Sequence, residues 1–405
     1  MIAELMPSLR FKEFTQEFEL SKLEDIVQKK ISYGIVQAGP HVEGGMPYIK
    51  SKNLNNELRV IDLDRTSTEI AKKYKRSEVG PGDIVFSLRG NIGVSRIVPD
   101  SVSVANLTQG TARLSLKAGF SAKYIQEELR TSRVKNRIEA ISKGSTFQEI
   151  SLTDLRTVKV AIPEKAEQQK IANFLASVDT KISQLTEKYH LLKGYKKGVM
   201  QQIFSQQIRF KNDDGSAFPE WEVKTFDELL TLNLRKVDKP RKEFLALGVR
   251  SHVKGVFHKP NFSPDKIAME ELYTVRKDDL VLSITFAWEG AIAIASGADD
   301  GGLVSHRFPT FLFNREETTP EFFKYIISSL KLRYLLGNIS PGGAGRNRVL
   351  NKGDFLKIKW GIPSLKEQQK IAQFLQSLDK KIDAVNEQIE QTKLFKKGLL
   401  QQMFV

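Results

Sequence analysis

Short clusters of arginine, lysine, asparagine and glutamine recur at turn-like positions along this 405-residue chain. The most pointed is Gly342-Gly343-Ala344-Gly345-Arg346-Asn347-Arg348. Its glycines permit close approach of the backbone to a ligand. Arg346 and Arg348 flank Asn347, whose amide can make paired hydrogen bonds to an adenine edge. Similar groups stand at Lys50-Ser51-Lys52-Asn53, at Arg89-Gly90-Asn91, at Asn106 with Gln109, and at Lys143 with Thr146 and Gln148. In the second half they stand at Arg250, His252 and Lys254, at Thr285 near Trp288, and at Ser305-His306-Arg307. Reading bases directly requires such side chains on loops that enter a groove, with basic neighbours to hold the phosphates. Replacing Arg346 or Asn347 by alanine is expected to weaken discrimination at one base pair by about 1–3 kcal/mol.

Catalytic chemistry finds no comparable support. No Asn-Pro or Asp-Pro dipeptide is present to begin the turn with which adenine methyltransferases hold a flipped base. The phosphate-cradling Gly-x-x-x-x-Gly-Lys-Ser/Thr loop is missing, as is a dinucleotide glycine fingerprint. Pro99-Asp100 and Pro264-Asp265 lack the acidic-x-Lys that would complete a nuclease metal site, and read as turns. His41, His190, His252, His258 and His306 have no tight metal-ligand spacing. With no cysteine there is no thiol nucleophile, disulfide or thiolate site. The expectation is a chain that binds without a metal or cofactor of its own.

The charge agrees with a polyanionic partner. Sixty-three basic residues against 48 acidic ones leave +15, most of it outside the two helical segments described below. Such a surface attracts nucleic acid through counterion release and makes binding salt-dependent. Neither a signal-peptide core near the N-terminus nor an apolar run of membrane-spanning length is present, so a cytoplasmic location is expected.

The elements that must position these clusters are set by a duplication. Ile162-Pro163, Glu167-Gln168-Gln169-Lys170-Ile171-Ala172 and Phe174-Leu175 return at Ile362-Pro363, Glu367-Gln368-Gln369-Lys370-Ile371-Ala372 and Phe374-Leu375. The echo runs on through Asp179 and Asp379 to Lys196-Lys197-Gly198 and Lys396-Lys397-Gly398, and roughly half of positions 162–204 recur at +200. Two copies imply an internal pseudo-dimer, not a solenoid. Each copy carries a heptad seam. The first runs Ile171, Leu175, Val178, Ile182, Leu185, Tyr189, Leu192, Lys196, Val199, Ile203, and the second Ile371, Leu375, Leu378, Ile382, Val385, Ile389, Thr392, Lys396, Leu399, Met403. This is the pattern of a coiled coil, and the shared seam lysines suggest a polar device that sets register.

Between the helices lie two regions of divergent sequence and common punctuation. Pro81-Gly82-Asp83-Ile84-Val85-Phe86-Ser87 answers Lys277-Asp278-Asp279-Leu280-Val281-Leu282-Ser283, each a turn entering a short strand. Helical stretches follow at 122–138 and 320–336, and Asn212–Ser216 reads as a link. The expected organisation is a first globular domain over 1–163, a helical region over 164–207, a second domain over 208–363 and a helical region over 364–405. The fold class is mixed α/β (α+β). Two similar globular domains are separated by a long antiparallel two-helix coiled coil, with a pseudo-twofold internal repeat.

The duplicated Ile-Pro…Glu-Gln-Gln-Lys-Ile-Ala helices, their Lys-Lys-Gly…Gln-Gln ends, and the Gly-Asp-Ile and Asp-Asp-Leu strand starts resemble the specificity subunits of type I restriction–modification systems. The resemblance covers essentially the whole chain. It implies a non-catalytic subunit whose two target-recognition domains each read one half of a bipartite double-stranded DNA target. It also implies two methyltransferase (modification) subunits docked on the helices, and restriction subunits that translocate and cut. S-adenosylmethionine, ATP and magnesium would then serve those partners, and the chain alone would neither methylate nor cleave. The alternative class is a coiled-coil scaffold or DNA-binding protein with no restriction–modification role. Paired antiparallel, helices of this length would act as a ruler of about 50 Å between half-sites.

Overall fold

The computed structural model describes residues 5–144, 148–342 and 348–405. Two helices dominate it, Lys165–Phe204 and Leu365–Gln402. Contacts divide the chain into two compact units, and the divisions fall inside both helices. One unit comprises 1–188 with 385–405, and the other comprises 189–384. Each globular domain therefore forms one body with the start of one long helix and the end of the other. The four segments expected from sequence describe chain order, whereas the compact units cut across them.

In the first unit, Met46–Ile49 runs parallel to Ala105–Leu107 in a four-stranded sheet completed by Asp64–Thr66 and Glu78–Val79. A three-stranded sheet places the buried strand Ile84–Ser87 between Ser95–Ile97 and Thr111–Leu114. The Gly-Asp turn delivers that strand as expected. The helical stretch beyond it is two helices, Ala122–Glu128 and Ser132–Ile141. The break comes where Thr131 caps the second helix, its hydroxyl accepting from Val134 N. Such a cap satisfies one of the orphan N–H groups of a helix start.

The second unit repeats this order. Phe244–Val249 runs parallel to Leu303–Val304, and Leu280–Leu282 lies between Ile292–Ile294 and Thr310–Phe313. Its helical stretch is also divided, into Pro320–Ile327 and Leu330–Asn338, with Ser329 as the intervening cap. Glu19–Lys22 pairs with Lys159–Ile162 in the first unit, and Glu222–Thr225 with Lys359–Ile362 in the second. Each pairing ties the start of a domain to the strand that feeds the long helix.

The heptad seam supplies the long helices to both cores. Ile171, Leu175 and Val178 join Leu399, Met403 and Phe404 in the core of the first unit. Val199 and Ile203 join Ile371, Leu375 and Leu378 in the core of the second. In each unit the beginning of one helix thus meets the end of the other, an antiparallel pairing. Phe404 stacks on Tyr124 at 5.2 Å between ring centroids, and Phe204 meets Phe322 at 5.9 Å. Each buried aliphatic residue of the seam contributes roughly 1.5–3 kcal/mol, more than helix propensity alone supplies.

The seam lysines have opposite-helix partners. In the first unit Lys396 Nζ lies 2.7 Å from Asp179 Oδ2 and 3.3 Å from Glu127 Oε2. In the second, Lys196 pairs with Asp379, whose Oδ2 also accepts from the Tyr325 hydroxyl at 3.0 Å. A one-residue slip would separate these charges, so the lysines specify register as well as contributing stability.

Candidate nucleic-acid interface

The repeated Glu-Gln-Gln-Lys motif is the first candidate for a functional surface, and its side chains are committed within the chain. Glu167 is fully buried and receives two hydrogen bonds from Arg10, at 2.8 Å to Oε1 and 2.7 Å to Oε2. Glu367, equally buried, receives the same pair from Arg209 at 2.9 Å each, and a third from Trp221 Nε1 at 3.1 Å. Gln168 donates to the Pro163 carbonyl and accepts from Ser121 N. Gln368 donates to the Pro363 carbonyl and accepts from the Thr318 hydroxyl. Lys170 pairs with Glu13 and Lys370 with Asp213. The motif is the joint between each helix and its own domain. Arg10-Phe11-Lys12 and Arg209-Phe210-Lys211 form a further repeat that the sequence reading passed over, because it falls outside the 162–204 block. Phe11 packs on Phe174 and Phe210 on Phe374, so the segment around the expected link is docked on the helix start.

Several of the loops that carry the other clusters are joined to one another within each unit. In the first unit, Ser51 Oγ donates to the Gly110 carbonyl at 2.8 Å and Asn91 Nδ2 to the Ser51 carbonyl at 3.3 Å. Leu88 N donates to the Gly110 carbonyl, and Ile150 N to the Leu88 carbonyl. Arg89 Nε sits 2.8 Å from Glu149 Oε1, and Lys143 and Glu149 exchange backbone hydrogen bonds. The turns at 50–53, 89–91 and 108–110 are thereby fastened to one another and to Lys143 and Glu149.

Within these loops the residues divide by role. Lys50 pairs with Asp64, which holds the ammonium above and the carboxyl below their ordinary ranges. Asn53 caps its own turn by accepting from Lys50 N at 2.8 Å. Asn91 is spent on Ser87, Asn55 and Ser51. Asn106 is buried, donating to the Tyr74 carbonyl, and is removed from the surface. Lys52, Lys143 and Gln148 are exposed and Gln109 is half-buried. These four have side chains with no partner among the described residues, which leaves them open to a ligand.

The second unit brings together the same positions with different residues. Ile284 N donates to the Arg307 carbonyl at 3.0 Å and Leu350 N to the Ile284 carbonyl at 2.8 Å. These two bonds repeat those at Leu88. The hairpin tip carrying Arg250, His252 and Lys254 is fastened to the same loop. His252 N donates to the Glu289 carbonyl and Val253 N to the Gly290 carbonyl, both at 2.8 Å, and Ser251 Oγ donates to Glu289 Oε2 at 2.6 Å. His252 and Val253 have φ of 61° and 54°. For a β-branched residue that is a strained conformation, and these bonds hold it. Arg250, His252, Lys254 and Arg307 are exposed around the tip.

Trp288 stands three residues beyond Thr285 in the same loop of the second unit. It lies in a 3-10 turn, half-exposed, with the Arg348 guanidinium 5.2 Å from its ring centre. A cavity of about 500 Å³ beside it is lined by Arg333, Tyr334 and Asn338 as well. The expected contacts Thr146, Arg346 and Asn347 lie outside the described residues. Among the described residues no group of histidine and acidic side chains is arranged to hold a metal. No described helix is long and apolar enough to cross a membrane.

Two like domains, each joining loops that bear polar and basic residues of its own through equivalent backbone bonds and held by a shared pair of helices, define a duplicated nucleic-acid reader. The family profile of the type I restriction modification DNA specificity domain matches residues 15–193 and again 219–393, and the chain belongs to that family. It is 23% identical to the type I restriction enzyme MjaVIII specificity subunit of Methanocaldococcus jannaschii, over 95% of this chain and 91% of that one. The EcoBI specificity subunit of Escherichia coli is 29% identical over 36% of this chain and 31% of its own. The fold is shared with the crystal structure of the type I restriction–modification S subunit from M. genitalium, with a TM-score of 0.57 at 15% identity over 99% of both chains. It is also shared with the HsdS subunit from Thermoanaerobacter tengcongensis, with a TM-score of 0.51 at 13% identity over 97% and 98%. The protein is a type I specificity subunit, a DNA-recognition component in place of a catalytic one.

Proposed function

We propose that each unit reads its own half of a bipartite duplex target, and that the long helices dock two methyltransferase subunits, which restriction subunits join. One observation carries the reading. The loops at 88–94, 108–110 and 148–150 in the first unit and at 284–290, 305–307 and 348–350 in the second are joined by the same backbone bonds and bear different side chains. A common frame with separate donor sets suits two independent half-sites. The chemistry of methyl transfer, ATP-driven translocation and cleavage then belongs to the partners, with S-adenosylmethionine, ATP and magnesium.

The helices carry apolar residues that the seam does not use. Leu191 and Tyr195 in the second unit are 66% and 55% exposed, and Leu394 and Phe395 in the first are 67% and 55%. Tyr195 and Phe395 occupy the same position of the repeat. Exposed aromatic residues at equivalent positions fit one docking contact used twice, one for each modification subunit. Exchanging residues 221–360 for the corresponding domain of another specificity subunit tests the division of labour. Methylation mapping is expected to show one half-site replaced and the other retained; a change in both would refute independent reading.

A further inference from the structure

Arg113 is 5% exposed on the edge strand Thr111–Leu114 of the first unit, and no carboxylate among the described residues lies within ion-pair distance of it, Asp83 and Glu78 acting on it only through space. Its Nη1 donates to the Glu78 backbone carbonyl at 2.6 Å, and its Nε has no hydrogen-bond partner among the described residues. A buried guanidinium left this way carries a desolvation cost that Asp83 and Glu78 only partly offset, and burial lowers its pKa below the ordinary arginine value. An anion would relieve both.

The surroundings are made for one. Arg113 lines an open pocket of about 550 Å³ together with Lys29, Lys30, Lys75, Arg76 and Glu78. The four other cations are exposed, and none has a carboxylate within ion-pair distance among the described residues. Four exposed cations and a buried one thus share a pocket with a single acidic side chain. The balance sets this pocket apart from the seam and helix-joint cations, which are all paired.

Its position connects it to the readout loops. The pocket wall at Ser32 continues into Gly34 and Ile35, whose N–H groups donate to the Thr108 and Leu107 carbonyls, while Gln109 N donates to the Ile35 carbonyl. Arg113 follows Gly110 by three residues of strand, a span of about 10 Å. The equivalent position in the second unit is Thr310, buried and hydrogen-bonded to the Asn233 carbonyl, so the pocket belongs to the first unit's own surface. We propose that the Arg113 pocket receives a backbone phosphate of the duplex beside the half-site read by the first unit. This rests on the DNA-reading function above and adds to it the contact that sets the domain's position on the strand. Phosphate contacts of this kind fix register without carrying sequence information.

The test uses the full chain assembled with its modification subunits, and titrates a cognate and a scrambled duplex over a range of salt. Lys75→Gln with Arg76→Gln alters only exposed side chains. It is expected to weaken binding to both duplexes about tenfold near 0.1 M salt, and to lower the slope of log K against log salt by about two. The methylated sequence should stay the same. Lys12→Gln with Lys165→Gln, an equal charge loss outside the pocket, should leave affinity within about twofold. Arg113→Lys should bind better than Arg113→Gln. Unchanged affinity and slope in the Lys75/Arg76 variant, while the parent binds its target, would overturn the pocket and leave the DNA-reading function standing. A loss confined to the cognate duplex would overturn it too, as a base contact. A parent that shows no preference for any sequence would remove the reading and the proposal together. A second arm adds inorganic phosphate at constant ionic strength. If phosphate raised the melting temperature of the parent but not of Arg113→Gln, and duplex binding did not depend on the pocket, the site would serve a soluble phosphate and the assignment to DNA would be wrong.

Discussion

Glu128 shows how much one buried carboxyl can weigh. Its Oε1 accepts from Ala161 N at 2.8 Å and pairs with Arg133, while Oε2 is buried without a partner. Burial pushes the carboxyl up to about 7, against the pull of Arg133 and the Ala161 N–H. Between the ordinary carboxylate range and pH 7 the folded chain therefore holds a proton that the unfolded chain has released. Stability is full below that interval and falls as pH rises through it, by up to about 1.4 kcal/mol per pH unit and about 3 kcal/mol in all. Thermal melts should place the first unit's transition lower at pH 8 than at pH 5. Glu128→Gln, which keeps the acceptor for Ala161 N, should remove most of the difference. An equal pH dependence in that variant would mean that another group is responsible. The corresponding position of the second unit, counted from the caps Ser121 and Thr319, is Ile326, so that unit lacks this liability. Arg10 poses the opposite case. Arg10→Ala would strand the fully buried Glu167 without its partner, at a cost of about 3–5 kcal/mol. Glu167→Gln in the same background should recover part of it, as read by chemical denaturation.

The long helices look uniform as elements but do different work at each turn. Their first turns are locked to a domain through Glu167 or Glu367, and their later turns close the core of the other domain through Met403 and Phe404 or Ile203. Between these, the seam carries a charge pair in each unit. Asp379→Ala leaves both Lys196 and the Tyr325 hydroxyl without their acceptor in a partly buried place, and should cost about 2 kcal/mol. Exchanging the charges, Lys196→Asp with Asp379→Lys, should return a measurable part of that loss in a double-mutant cycle. Additive losses would show that the two side chains do not interact. Register would then rest on the apolar seam alone.

Across the whole molecule, the boundaries between the units fall after Lys188 and after Ala384, within the helices and not within a flexible linker. A change of helix length should therefore be felt in the target. Inserting four residues between Lys188 and Lys193 adds about 6 Å of helix and shifts the heptad phase. With the seam re-registered, methylation mapping is expected to show a longer unread spacer between unchanged half-sites. An active variant with the parental spacer would show that the helices do not set that distance.

The duplication, the heptad seam, the seam lysines and the strand starts at Asp83 and Asp279 were all legible from residue order, because periodicity and turn chemistry are local properties of the chain. Other features depend on contacts between distant parts of the chain. Glu167 and Glu367 read as part of a helix surface, yet they are buried, because Arg10 and Arg209, more than 150 residues before them, close over them. Asn106 and Asn91 carry the same amide as Asn347, but neighbouring strands and loops have used theirs. Arg113 stands in a short run that alternates like any strand, and only the folding of 29–32 and 75–78 around it makes a charged pocket. Sequence determined which elements form and that they form twice. Tertiary structure decided which polar groups are left free, since a hydrogen bond or ion pair between distant residues leaves no mark in the local pattern of either.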